Sequence, residues 1–375
     1  METLKFGNGT WATKEGSTLA YNNENNNFKP LPFTTTRASS ATMVNKQGLV
    51  EVVGQNTPRI DYTNSSNGVF LLEKAATNTL PYSSDFSQYT KINCTVLSNQ
   101  GISPDGTLNA DLMTATANDA SLEDIVGSAG VAVTQSIYVK SANGGNVSGQ
   151  IDFAGANIVG FIANNEWQRI ESTLTNLAVT PRLRVRITNS GGELLVWGAQ
   201  LETGSYATSY IPTQGSAVTV VKDVCTGAGN DQVINSEEGV LYAVIAALAD
   251  DSTNRMLSIY GSANDRLTLF YKTASNSMTV QGFVGGGLQI NRTIVLTDIT
   301  QFSKIAIRYK TNDFAWYVDG IKITDDTSTN TWSADTLNKL SFNDGSGGNP
   351  LFAKVKQLQV YKTALTDTQL AALTS

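Results

Sequence analysis

The feature that most constrains this chain is its punctuation. Over residues 81–213, short runs of apolar–polar alternation stop at glycine, asparagine or aspartate roughly every 10–15 residues, with no helical stripe between the stops, and later residues repeat the theme. In "VTQSIYVK", Val133, Gln135, Ile137 and Val139 share one face and Thr134, Ser136, Tyr138 and Lys140 the other, the half-buried alternation of an antiparallel sheet. Asn143-Gly144-Gly145 and Ser190-Gly191-Gly192 carry hairpin chemistry. Asn312-Asp313 and Asp319-Gly320 separate three further strands, Asp-Gly suiting a two-residue turn in which both positions need positive φ. In "LLVWGAQLETGSYATSYIPT", alternation puts Leu195, Trp197, Ala199 and Leu201 on one face and Val196, Gly198, Gln200 and Glu202 on the other; Pro212, lacking an N–H, ends pairing. The spacing predicts an all-β chain of antiparallel sandwiches or jelly rolls.

The organisation falls into three parts. Residues 1–80 hold the asparagine-rich "YNNENNNFKPLPF" and short extended pieces at Thr42–Asn45 and Leu49–Val53, with too few periodic apolar residues to bury a core alone. They are expected to be an extended docking segment that gains order by packing on a neighbouring subunit or a larger assembly. Residues 81–213 are expected to form one jelly roll and residues 214–375 a second antiparallel β-sandwich. In the second, "EGVLYAVIAAL" is apolar on both faces and predicts a central strand covered on both sides. The single helix signal is C-terminal: Thr366 with Gln369 three residues on makes a capping box, and Leu370 and Leu373 give a short apolar stripe.

Composition narrows the function. Charged residues are 15% and the net charge is −6, with no basic stripe, which argues against a nucleic-acid or anionic-membrane surface. Histidine is absent, so no Ser-His-Asp or Cys-His catalytic arrangement and no His-ligated metal can be assembled. Cys94 and Cys225 are far apart and are expected to be free thiols in different domains. No signal peptide or bilayer-length apolar run is seen, and the chain is expected to be soluble and made in a cytoplasm.

Glycoside hydrolysis needs two carboxylates facing one sugar. Glu237-Glu238 and Glu123-Asp124 are adjacent pairs that point to opposite faces of a strand, so an enzyme is not expected. Sugar binding needs an exposed ring and nearby amides or carboxylates. Trp332, in the polar loop "STNTWSADT", is the candidate ring, the alternative being that it packs on its own sandwich; Asn343 and Asp344 are the candidate polar contacts, whereas Trp197 and Trp316 lie in strands as core. No cofactor is expected. Calcium is the one ion the acidic turns invite, at Asp250-Asp251 or Asp325-Asp326, the alternative being plain solvated turns.

One stretch is more specific. "TRASSATMVNKQGLVEVVGQNTPRIDY", continued by "LLEKAATNTLPYSSDFSQYTK", resembles an N-terminal module of bacteriophage tail-fibre and head-fibre proteins, through Arg37-Ala38-Ser39, Pro58-Arg59-Ile60-Asp61, Leu71-Leu72-Glu73, Asn78 and Ser84-Asp85-Phe86. "WGAQLETGSYATSYIPT" is similar to the end of the carbohydrate-binding-module-like jelly roll that follows that module. Trp316 through Gly320 and "YKTALTDTQL" resemble a laminin-G or concanavalin A-like domain. The resemblance implies a virion component, often trimeric, with Arg37, Pro58, Arg59 and Asp61 docking onto other capsid or tail proteins. It also implies lectin-like domains displayed toward host-surface glycans. The alternatives are an appendage depolymerase acting on surface polysaccharide and a capsid decoration protein that binds no glycan.

Overall fold

The alternation becomes two sets of antiparallel sheets in a computed structural model of the chain, which describes residues 2–18, 21–22, 29–127, 130–175 and 178–375. Residues 23–28 of the asparagine-rich stretch lie outside the described residues. Two compact units result: Met1–Ser39, Gly54–Glu73 and Lys222–Ser375 form the first, and Ser40–Val53 with Lys74–Val221 the second.

Among the described residues the first unit pairs a ten-stranded with a nine-stranded sheet around one core. Strand Glu238–Ala247 is central, between Ser303–Lys310 and Ala353–Tyr361. Its Leu241, Ala243 and Ile245 enter the main core, while Val240, Tyr242 and Val244 meet Leu370 of the C-terminal helix Asp367–Thr374. That helix starts with the expected capping box at Thr366 and Gln369. The turn before strand Ile321–Asp326 has φ of 47° at Asp319 and 81° at Gly320, as its Asp-Gly chemistry requires.

The leading residues are not a free-standing docking segment. Strand Leu4–Gly7 pairs with Ala353–Tyr361 in the register Leu4↔Val360, strand Phe33–Thr36 pairs with Val224–Ala228, and Val69–Leu72 pairs with Ala353–Tyr361. Phe6, Phe33 and Phe70 are buried against Phe342, with ring centroids 5.1 Å apart for Phe6–Phe33, 5.4 Å for Phe6–Phe70 and 4.9 Å for Phe33–Phe342. Each such burial is worth about 1.5–3 kcal/mol. The segment does lack a core of its own, and what completes it is this chain's last long strand. Residues 40–53 go elsewhere, as the hairpin Ala41–Val44 and Val50–Val53 in the second unit. The boundaries expected at 80 and 213 are therefore replaced by chain passages between the units after residues 39, 53, 73 and 221.

The second unit packs two five-stranded sheets around Met113, Ile137, Ile151, Phe153, Val185 and their neighbours. The glycine turns at 143–145 and 190–192 are real, but neither closes a hairpin. Each carries the chain from one sheet to the other, from Val133–Ser141 to Val147–Phe153 and from Arg182–Ile187 to Glu193–Thr203. Gly198, at φ 65°, makes a bulge in the last of these, so that Ser136 pairs with Gln200 but Tyr138 with Trp197. The extra residue switches faces: Leu194, Val196, Ala199 and Leu201 enter the main core, and Leu195 and Trp197 enter a satellite cluster with Val50, Ala110 and Tyr210. Strict alternation had placed Trp197 with Ala199 and Leu201.

Candidate functional site

Most residues singled out from the sequence are structural. Trp332 is in a loop, but only 2% exposed; its Nε1–H donates to the Phe283 carbonyl at 2.6 Å and its ring meets Tyr309 edge-on at 5.7 Å. A polar neighbourhood in sequence did not mean solvent in space. Asn343 is buried, its Oδ1 accepting from Gly345 N at 2.7 Å and its carbonyl from Ser258 Oγ at 2.8 Å. The Asp344 carboxylate closes its own turn, accepting from Ser346 N, Gly348 N and Asn349 Nδ2. Partial burial works to raise its pKa, but those bonds hold it below the ordinary carboxylate value. The three do not form a sugar platform, because the ring is inside.

Asp250 accepts from Ser275 Oγ and from Asn276 N at 3.0 Å. Asp251 pairs with the guanidinium of buried Arg255, whose other arm donates to the Ala249 carbonyl at 2.9 Å. The two carboxylates are thus engaged by different partners, and Asp251 already faces a cation. Among the described residues no group of three or more Asp, Glu or Cys side chains could hold a metal ion. Asp325 pairs with Lys322 and Asp326 with Arg292.

The expected docking residues are buried inside the first unit. Arg37 and Arg59 are each 1% exposed, Asp61 5%, and Pro58 is buried. Arg59 Nη1 donates to Glu73 Oε2 at 2.5 Å and Nη2 to Asp223, while Arg37 Nη1 reaches Asp223 Oδ1 at 2.9 Å. Arg37 also donates to the carbonyls of Ser39, Gly54 and Thr57. Two cations and two anions cancel inside the fold, which is the condition for burying them at all. Burial opposes the charge of Arg59, yet Glu73 and Asp223 together hold its pKa above the ordinary value; for Arg37 burial outweighs Asp223 and the shift is downward. These side chains tie their own chain and present nothing to a partner. Asp223, which completes the cluster, was not singled out from the sequence.

A surface cleft does occur in the second unit, where two of the sequence motifs meet. Tyr82 and Gln214 form an isolated antiparallel bridge, Ser83 N donates to the Thr213 carbonyl at 3.3 Å, and Gly215 N donates to the Pro81 carbonyl at 2.7 Å. Thr213 N donates to Ser83 Oγ at 2.8 Å, and Ser83 Oγ and Tyr210 Oη lie 2.7 Å apart. Asp85 caps the short turn Phe86–Gln88 by accepting from Ser87 N at 3.1 Å, and Phe86 anchors beneath it in the core. The result is a preformed cleft of about 410 Å³ lined by Tyr82, Ser84, Asp85, Pro212, Thr213 and Gln214. That volume lies within the range of small-ligand sites, about 300–1,000 Å³. Tyr82, Ser84 and Asp85 are half-buried, and Pro212 and Gln214 are exposed. Thr213 Oγ1 is buried and has no hydrogen-bond partner among the described residues.

Chemically the cleft offers one aromatic ring, one proline face, an amide, hydroxyls and a single carboxylate. A ring face accepts the C–H side of a sugar, while amide and carboxylate oxygens accept from its hydroxyls. Ser84 and Asp85 entered the sequence reading only as a motif, Tyr82 as its neighbour and Pro212 as the residue that ends strand pairing, while Gln214 was not singled out. The available signal was an aromatic residue three positions before a capping aspartate, matched by a proline that ends a strand pairing.

No family model matches the chain, and no curated protein matches it. Among solved structures it is similar to the CBM40 carbohydrate-binding module of the Ruminococcus gnavus IT-sialidase, bound to α2,3-sialyllactose, at 16% identity and a TM-score of 0.33, over 40% of this chain and 94% of that one. It is similar to domain 4 of the arabinanase AbnA from Geobacillus stearothermophilus at 11% identity and TM-score 0.35, over 46% and 82%. A third similarity is to domains LG4-5 of the mouse laminin α1 chain at 8% identity and TM-score 0.27, over 79% and 90%. Identities and scores this low say nothing about ligand or activity.

Proposed function

We propose that the chain is a non-enzymatic structural protein of a bacteriophage particle, a head or tail fibre, whose jelly-roll unit binds host-surface glycans in the Tyr82 cleft. The carrying observation is that the cleft forms where "YSSDF" and "SYIPT" come together, two stretches within the segments that resemble phage appendage proteins, with Gln214 just beyond the second. Tyr82 supplies the stacking face, and Asp85, Ser84 and Gln214 the polar contacts. Asp85 is the lone carboxylate of the lining, where glycoside hydrolysis uses a pair, so retention rather than cleavage of the sugar suits the cleft. With one negative charge and no cation in the lining, a neutral sugar fits better than an acidic one.

A single shallow site of this kind binds at about μM to mM, some −4 to −8 kcal/mol. Many copies on one particle raise the effective affinity by about 10²–10⁴ without new contacts. The residues that attach the chain to the particle are not Arg37, Pro58, Arg59 and Asp61, whose side chains are buried.

A glycan array probed with the full chain and with Tyr82→Ala, run beside a reducing-sugar release assay, tests the reading. Binding of neutral glycans that falls at least about tenfold in Tyr82→Ala, with no sugar released, is the expected result. Sugar release, or binding indifferent to the substitution, overturns it.

A further inference from the structure

Strand register in the nine-stranded sheet of the first unit lines up two rows of side chains across it. Leu257, Ile259, Leu267, Leu269, Val280 and Leu340 fill the core, so by alternation the residues between them occupy the opposite face. On that outer face one row runs Thr34↔Thr226↔Ser341↔Ser258↔Thr268↔Gln281↔Asn291, polar at each of seven strands. The row beside it runs Lys339↔Tyr260↔Arg266↔Phe283↔Leu288. With strands about 4.8 Å apart, the polar row is about 29 Å long. That suits a chain of sugars and is far too long for one.

At the centre of the polar row Ser258, Thr268 and Ser341 are each at most 2% exposed. Ser258 Oγ donates to the Asn343 carbonyl at 2.8 Å. Thr268 Oγ1 and Ser341 Oγ have no hydrogen-bond partner among the described residues. A buried hydroxyl left unpaired costs about 1–3 kcal/mol, which a bonded ligand removes. Gln281 and Asn291 continue the row outward, half-buried and exposed, joined by a side-chain hydrogen bond of 3.2 Å.

The second row supplies charge and a ring. The Arg266 guanidinium lies 4.7 Å from the centre of the Phe283 ring, which fixes it on this face, and it donates to the Ala263 carbonyl. Arg266 is half-buried and Lys339 is exposed. Among the described residues neither makes an ion pair, and neither row contains a carboxylate. In a chain of net charge −6, two unopposed cations on one face attract an anion. Tyr260 stands between them, half-buried, its ring base held by the turn at Gly345, where a Cβ would stand 2.8 Å from Cγ. Lys339 and Arg266 are two strands apart, about 9.6 Å, the length of one disaccharide in an extended glycan.

We propose that this outer face binds a linear glycan with one anionic group per disaccharide, laid across the strands. Arg266 and Lys339 take successive anionic groups, Tyr260 stacks on the sugar between them, and the polar row bonds the hydroxyls. The site does not depend on the Tyr82 cleft, which lies in the other unit. Calorimetric titration of the full chain with three hexasaccharides tests it: hyaluronan (one carboxylate per disaccharide), κ-carrageenan (one sulfate) and chitin (neutral). At least one charged hexasaccharide is expected to bind about tenfold or more tighter than the neutral one, and the better of the two identifies the anion. Arg266→Gln is expected to weaken that ligand about tenfold, the scale of one charged hydrogen bond, and to leave the chitin hexasaccharide unchanged. Thr268→Val is expected to weaken binding without lowering Tm, because it removes an unpaired buried hydroxyl. Tyr82→Ala is expected to change nothing here. Charged ligands that bind no better than the neutral one, indifference to both Arg266→Gln and Thr268→Val, or loss of binding in Tyr82→Ala each overturns the assignment.

Discussion

Arg59→Met is the most informative perturbation of the fold. Arg59 donates to Glu73 at 2.5 Å and to Asp223, and Asp223 also accepts from Arg37 at 2.9 Å and from Glu73 N at 2.8 Å. Methionine keeps most of the stem but leaves two buried carboxylates facing one guanidinium. Breaking a buried pair from one side costs about 3–5 kcal/mol. For a unit of this size each kcal/mol moves the midpoint by about 2–4 °C, so Tm should fall by about 6–20 °C. Differential scanning calorimetry or urea unfolding of the full chain measures it. Arg59→Met with Glu73→Leu removes one charge of each sign and leaves Arg37 paired with Asp223, so the double variant should recover at least half of the loss. A single-variant loss below about 1 kcal/mol, or a double variant at the sum of the two single losses, would refute the idea that charge balance holds this cluster together.

Two further outcomes follow from buried titratable groups. Glu202 is 1% exposed; burial raises its pKa although Thr208 and Gln200 donate to the carboxylate. Above the ordinary value near 4.5 the folded chain therefore keeps a proton that the unfolded chain has lost, and this residue's contribution falls as pH rises through that window. Glu202→Gln, whatever its constant offset, should gain on the parent between pH 4 and 7 in urea unfolding; a flat difference would contradict the shift. Burial also pushes the thiol of Cys225 far up and that of Cys94 upward, so the native chain at pH 8 should label at Cys94 slowly and at Cys225 not at all. Prompt reaction of both thiols with iodoacetamide in the absence of denaturant would refute that burial.

What was legible in the sequence was local. The helix cap at Thr366, the Asp319-Gly320 turn and the two-sided strand Glu238–Ala247 each depend on residues a few positions apart. Partnership at a distance was not. Leu4–Gly7 lacks a core of its own, and nothing in it says that residues 357–360 supply one. Gly198 shows the same limit on a smaller scale, because a bulge depends on the partner strand and one inserted residue reverses the faces of Glu193–Thr203. For Trp332 the sequence left two readings, and the structure has the one in which it packs on its own sandwich; loop polarity could not decide, because it describes chain neighbours, whereas Phe283 and Tyr309 lie 49 and 23 positions away. The arginines stood out as a motif, but charge in a motif does not tell whether its counter-charge belongs to another molecule or, as with Asp223, to this one.

The pairing of Leu4–Gly7 with the last long strand has a consequence for synthesis. Thr3 bonds the Val360 carbonyl across 357 positions, so the first strand leaves the ribosome long before its partner exists. At about 5–20 residues per second that interval is about 20–70 s, during which Phe6, Phe33 and Phe70 must be shielded or held. A nascent chain arrested before its final strand would carry a completed middle and an unfinished first sandwich, making premature termination more harmful here than in a chain whose domains follow one another in order.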